Sequence, residues 1–90
     1  MKTEIKLEIL EDRKRSFYTF NGSLLHSDKE HDFYICALYA CSDEGYVLHL
    51  QTFEDKYVII TKTQSGMRSL LKDLKKEIPL FDTRPFFQYL

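Results

Sequence analysis

Apolar and charged side chains alternate along the first predicted element, residues 3–11. In the run TEIKLEILE, isoleucine or leucine occupies every second position and charged residues fill most of the positions between them. Because successive side chains of a strand point to opposite faces, this pattern predicts a strand with one face packed on the core and one solvent-exposed face. No other predicted element covers the solvent-exposed face, so we expect this strand to lie at a sheet edge.

Five further apolar runs predict five further strands. Asn21-Gly22 separates SFYTF from SLLHS, and Asn-Gly between two apolar runs predicts a hairpin because both residues tolerate positive φ. The run 33–41 is apolar on both faces, which predicts a central strand covered on both sides. The full set of predicted strands is 3–11, 15–20, 23–27, 33–41, 45–53 and 56–62.

The period of the pattern changes after residue 62. Apolar residues then recur at intervals of three and four, which is typical of one stripe of an amphipathic helix. The predicted helix covers residues 65–78, with Thr63 or Ser65 as its N-cap and Pro79 as its stop. The stripe is formed by Met67, Leu70, Leu71, Leu74 and Ile78.

Together these elements predict an α+β fold. We expect one small domain, residues 1–90, with a curled antiparallel sheet of five or six strands in meander order. One C-terminal amphipathic helix and an aromatic tail, residues 79–90, follow the sheet. A strand meander followed by a helix is similar to pleckstrin-homology-like barrels at the level of architecture. The chain is short for that fold, has one strand fewer and carries none of its motifs.

The formal net charge of the 90 residues is −1, which excludes a strongly basic duplex-DNA binder and an acidic DNA mimic. Charged residues interrupt the N-terminal apolar pattern, so it does not resemble a signal peptide, and no apolar run is long enough to span a membrane. Two cysteines in such a chain predict free thiols and a cytoplasmic location.

His26, His31, Cys36 and Cys41 follow one another at intervals of five residues. On a strand this spacing sends consecutive members to opposite faces, and structural zinc sites usually place paired ligands two to four residues apart. We therefore predict buried thiols rather than a metal site, and no cofactor.

Catalytic motifs are absent from the sequence. There is no nucleophile elbow, no paired-carboxylate motif and no phosphate-binding glycine loop, so we predict that the chain is not an enzyme. A small hydrolase or nuclease using His26, His31 or His49 is the weakest of the functions considered.

A basic and aromatic segment supplies an alternative function. Single-stranded nucleic acids bind where cations hold phosphates and aromatic rings stack on bases. An alternative site for such binding consists of Arg13, Lys14, Arg15, Phe17 and Tyr18.

The aromatic tail supplies the leading hypothesis, a protein–protein interaction or self-association module, expected as a homodimer. Aromatic and arginine side chains dominate interface energies, and an exposed strand edge recruits further strands. The tail can also pack on its own sheet. The candidate partner-binding residues are Arg84, Phe86, Phe87, Tyr89 and Leu90. The predicted partner is another protein or a second copy, with no membrane.

Overall fold

The computed structural model describes residues 3–29, 33–42, 45–53 and 56–90. Within these ranges, five antiparallel strands follow one another around a closed barrel, and two helices come after them. The predicted α+β fold, with an antiparallel meander and a C-terminal helix, is confirmed. The elements are β1 (Thr3–Glu11), β2 (Lys14–Asp28), β3 (Ile35–Cys41), β4 (Tyr46–Gln51), β5 (Lys56–Thr61), α1 (Gln64–Glu77) and α2 (Arg84–Phe87).

The turn between β1 and β2 lies at Asp12 and Arg13, inside the charged cluster of the sequence. Both residues are exposed and have positive φ, 51° and 64°. Two-residue hairpin loops of the primed type need this conformation because their twist matches that of the flanking strands. The predicted hairpin at Asn21-Gly22 is wrong, because both residues lie inside β2, which replaces the two predicted strands 15–20 and 23–27.

Gly22 allows a close approach between strands and does not form a turn. It pairs with Thr3 of β1 and with Cys41 of β3, so β2 changes partner at this residue. A Cβ atom at Gly22 would lie 2.3 Å from the carbonyl oxygen of Ala40. The neighbouring Asn21 carbonyl accepts a backbone hydrogen bond at 2.9 Å. These contacts on both sides outweigh the turn preference of the dipeptide.

β3 and β4 are neighbours in the barrel, and near their centres they carry buried side chains on both faces of the sheet. Val47 and Leu48 are neighbours on β4 that point to opposite faces, and both are fully buried. Ala37 and Leu38 are buried in the same way on β3. The predicted coverage on both sides therefore holds for the centre of the strand, whereas Phe33 and Ile35, on one face of the predicted strand 33–41, are 52% and 37% exposed.

α1 packs its predicted stripe against the sheet. The Thr63 hydroxyl accepts a hydrogen bond from the Gly66 N–H at 3.0 Å, which confirms the predicted N-cap. Met67 and Leu71 are fully buried, and the other stripe residues are partly buried against the same core. The helix ends at Glu77, two residues before the proline.

The tail folds back onto the chain's own core. Phe81 and Phe86 are fully buried. The backbone N–H of Asp82 donates a hydrogen bond to the Tyr34 hydroxyl at 2.9 Å. The Arg68 guanidinium of α1 donates to the carbonyl oxygen of Leu90. Of the two placements that the sequence allowed, the structure shows packing on the chain's own sheet.

Candidate interaction surface

The five tail residues selected from the sequence occupy different environments. Phe86 and Leu90 are buried in the core, and Phe87 is partly buried against it. Tyr89 remains 43% exposed, and Arg84 lies on the surface. Of these five residues, Arg84 and Tyr89 therefore remain exposed, while Phe86, Phe87 and Leu90 pack in or against the core.

The basic and aromatic segment is divided between the two faces of the β1–β2 hairpin. The Phe17 ring is exposed and has the Lys6 ammonium 4.4 Å from its centroid. Tyr18 points to the opposite face and stacks on Phe20, with 5.5 Å between the ring centroids. Phe17 and Tyr18 therefore do not form one stacking platform, and a cation already covers one side of the Phe17 ring.

Carboxylates lie among the cations of this segment. The Arg15 guanidinium lies 3.0 Å from the Glu8 carboxylate. Lys14 and Arg15 line a surface cavity of about 400 Å³ together with Asp12 and Ser16. The acidic neighbours offset part of the positive charge that a phosphate backbone would need.

The thiols and histidines of the evenly spaced series do not converge. Cys36 and Cys41 form no disulfide, and burial raises the pKa of the Cys36 thiol far above its ordinary value. His26 stacks on the Tyr89 ring at 5.6 Å, and His31 lies outside the described residues. In the part of the chain that the structure describes, no group of three His, Cys, Asp or Glu side chains could hold a metal ion.

A single residue pair joins β1 to β5 and closes the barrel. Among the described residues, Leu10 and Lys56 are the only ladder partners of these two strands, whereas β1 and β2 share nine pairs. We call this junction the β1–β5 seam. Its closed end is the Leu10–Lys56 pair, and its open end consists of the neighbouring strand edges at residues 3–7 and 58–61.

Polar contacts hold the closed end of the seam. The Lys56 ammonium lies 3.2 Å from the Glu8 carboxylate. His49 of β4 donates from Nε2 to the carbonyl oxygen of Glu8 at 3.3 Å. Burial lowers the pKa of His49 below its ordinary value, and the bond to Glu8 opposes that effect. β1 is therefore tied to β4 and β5 around residue 8.

Beyond Lys56, β5 has no ladder partner on β1 among the described residues, and its sequence there is apolar. Ile60 of β5 is 52% exposed. The run YVIIT at residues 57–61 contains no charged residue, and Lys56 and Lys62 flank it. Uncharged, β-branched edges are the kind to which another strand can add, because their backbone groups can continue the ladder.

A groove of about 290 Å³ runs beside β5 under the last turns of α1. Successive side chains of a strand alternate between faces, so every second side chain of a strand added to β5 would face this groove. The edge and the groove therefore form one continuous surface. The groove is lined by Leu50, Tyr57, Ile59, Leu74, Glu77 and Ile78.

The sequence predicted an edge at β1 and did not predict the open edge of β5. One signal for it was present, since KYVIITK has an uncharged centre between lysines. That signal is also compatible with an inner strand, because inner strands are apolar as well. Only the closure of the barrel shows which edge is left without a full ladder.

Comparison with protein families, curated proteins and solved structures finds no match for this chain. Within the described ranges, no helix is long and apolar enough to cross a membrane.

Proposed function

We propose that this chain is a non-catalytic protein-interaction module that binds an extended polypeptide segment along the open edge of β5. One observation carries the proposal: among the described residues β5 pairs with β1 only at Lys56, and an apolar groove adjoins its remaining edge. Main-chain hydrogen bonds along the edge would provide affinity, and the groove would select alternate side chains.

The proposal moves the main binding surface from the tail to the seam. Phe86 and Leu90 support the fold through their burial, whereas Ile60 is accessible. The proposal also includes a cytoplasmic location and no cofactor, metal or membrane. The reduced state of Cys36 and Cys41, which form no disulfide, supports a reducing compartment.

A displayed library of random linear peptides tests the proposal on the full chain. We expect the selected peptides to share apolar residues at alternate positions and to lose at least about tenfold in affinity for Ile60→Lys, because a lysine protects a strand edge from pairing. Leu24→Lys is the matched control, since Leu24 on β2 is also 52% exposed. Circular dichroism checks that both variants fold.

Two results would contradict the proposal. In the first, peptides bind Ile60→Lys as tightly as the unsubstituted chain. In the second, the library yields no binder while the chain is folded. Changes in the NMR chemical shifts of backbone amides during a peptide titration locate the binding site. We expect the largest changes at residues 58–61.

Single-stranded nucleic-acid binding is the second candidate function, through Arg13, Lys14, Arg15 and Phe17. The observation that favours it is the exposed Phe17 ring close in sequence to the cavity lined by Lys14 and Arg15. A fluorescent oligothymidine titrated at several salt concentrations tests it. Affinity that falls steeply with salt and is lost in Phe17→Ala would support this function.

A further inference from the structure

We propose that the strand which occupies the open edge of β5 is β1 of a second copy of this chain, so that two copies pair reciprocally through their seams. The inference rests on the proposed function, because it uses the same edge as the binding surface. The register, the charges and the contacts of the seam identify the partner strand.

The register of the seam is already present in one chain. Leu10 and Lys56 are antiparallel partners. Continuing this register toward the open end places Leu7 opposite Ile59 and Lys6 opposite Ile60. Ile59 lines the apolar groove, so the apolar side of the incoming strand would lie on the groove side. The alternating pattern of β1 therefore fits this edge.

Charge also favours β1 as the occupant. The same register places Glu4 opposite Lys62, a pair of opposite charges. Pairing of two β5 strands centred on Ile59 would instead place Lys56 opposite Lys62, and like charges directly opposite each other are unfavourable. A second β5 is thus a poorer partner than β1.

Contacts within one chain end the ladder before the open end. The Glu8 carbonyl oxygen accepts a hydrogen bond from His49, and Lys56 is bound to the Glu8 carboxylate. In the described residues no β1–β5 pair follows toward Thr3. The edges at residues 3–7 and 58–61 therefore remain for pairing between chains, with the closed end kept in each.

Disulfide trapping between two differently substituted chains tests the pairing. Both proteins carry Cys41→Ser, and the remaining Cys36 is fully buried. One protein adds Lys6→Cys and the other Ile60→Cys, so their mixed disulfide joins different chains. We expect it to form at least about tenfold faster than the disulfide of Ile60→Cys with Thr19→Cys, because paired strands hold the cysteines at high effective concentration.

Charge reversal provides an independent readout of the register. Light scattering on the full chain is expected to give a dimer mass. Lys62→Glu is expected to raise the dimer dissociation constant about tenfold, and adding Glu4→Lys to that variant is expected to recover most of the loss, because the pair regains opposite charges. Lys72→Glu, which changes an exposed residue of α1 away from the seam and the tail, is the charge-matched control.

Three outcomes would overturn the inference. The first is a monomer mass at the concentrations used for trapping. The second is a mixed disulfide that forms no faster than the disulfide of the control pair. A chain carrying both Lys6→Cys and Ile60→Cys that oxidises only within itself would show that the seam closes internally. The peptide experiment separates the two proposals: if Ile60→Lys still abolishes peptide binding, the β5 edge binds a foreign strand and only the second-copy inference fails.

Discussion

The two sides of β5 are held by different kinds of contact. Toward β4 it forms six residue pairs, and the neighbouring β4 residues Val47 and Leu48 are fully buried. Toward β1 it forms one pair among the described residues, reinforced by polar contacts at Glu8. We infer that the buried side supplies most of the stability, whereas the seam leaves part of the β5 edge without a ladder partner among the described residues.

We therefore expect substitutions on the two sides of β5 to differ in their effect on the free energy of unfolding. Changes on the buried side remove apolar burial and leave cavities, so they are expected to lower the free energy of unfolding by several kcal/mol. Changes at the seam remove partly exposed polar contacts, whose contributions are usually about 1 kcal/mol or less.

Phe81→Ala is expected to have the largest effect, because Phe81 is a tail residue that is fully buried in the core. We expect the free energy of unfolding to fall by about 3–5 kcal/mol, measured by urea denaturation. Its neighbour Leu80 is 59% exposed, and Leu80→Ala is expected to change stability by less than about 0.5 kcal/mol. Equal effects at the two positions would show that the tail does not dock as described.

Gly22→Ala tests the close contact between β2 and β3. The added Cβ would lie 2.3 Å from the Ala40 carbonyl oxygen, so strands must separate to admit it. We expect a loss of about 1–3 kcal/mol in thermal or urea unfolding, as for other overpacked sites. Asn21→Ala, at an exposed neighbour, is the control, with an expected change below about 0.5 kcal/mol. If Gly22→Ala left the free energy of unfolding unchanged, the result would contradict the continuous β2 strand.

Lowering the pH is expected to weaken the closed end of the seam through His49. Because the folded-state pKa of His49 is depressed, the unfolded chain binds a proton more readily than the folded chain. The stabilising contribution is present above about pH 6.5 and is lost as the pH falls through the folded-state pKa. Unfolding measured between about pH 7.5 and 5.5 should show a smaller loss of stability for His49→Gln than for the unsubstituted chain.

Glu8→Gln is expected to have the smallest effect on stability. It removes ion pairs to Arg15 and Lys56 while leaving the backbone carbonyl that His49 contacts. We expect a loss of about 0.2–1 kcal/mol that shrinks as salt is added, measured by urea unfolding at low and high salt. A loss above about 3 kcal/mol would mean that these ion pairs, rather than core packing, dominate stability.

Two dipeptides, one within β2 and one before it, show why turn chemistry alone was not sufficient. Asn21-Gly22 has the stronger hairpin preference, yet it lies within a strand, and Asp12-Arg13 forms the turn. A dipeptide preference is small compared with a ladder that runs along both edges of the strand and buries Gly22 against β3. Local sequence could not reveal that ladder, because its partners lie far along the chain.

For the candidate site too, local sequence alone did not decide the environment of the tail. Its aromatic composition is equally typical of an interface and of a core, since both bury large side chains. The fully buried position of Phe86 comes from the cavity that β3, β4 and α1 leave between them. The exposure of Ile60 likewise depends on where the barrel closes.

The sequence by itself determined the strand alternation of β1, the two-sided burial of β3, the stripe and cap of α1, and the meander order. Each of these is set by the period of a short segment, because side-chain direction follows backbone geometry locally. Tertiary structure decided the position of the first turn, the docking of the tail and the incomplete β1–β5 ladder. Those features depend on how distant segments pack and on which backbone groups they leave without a strand partner.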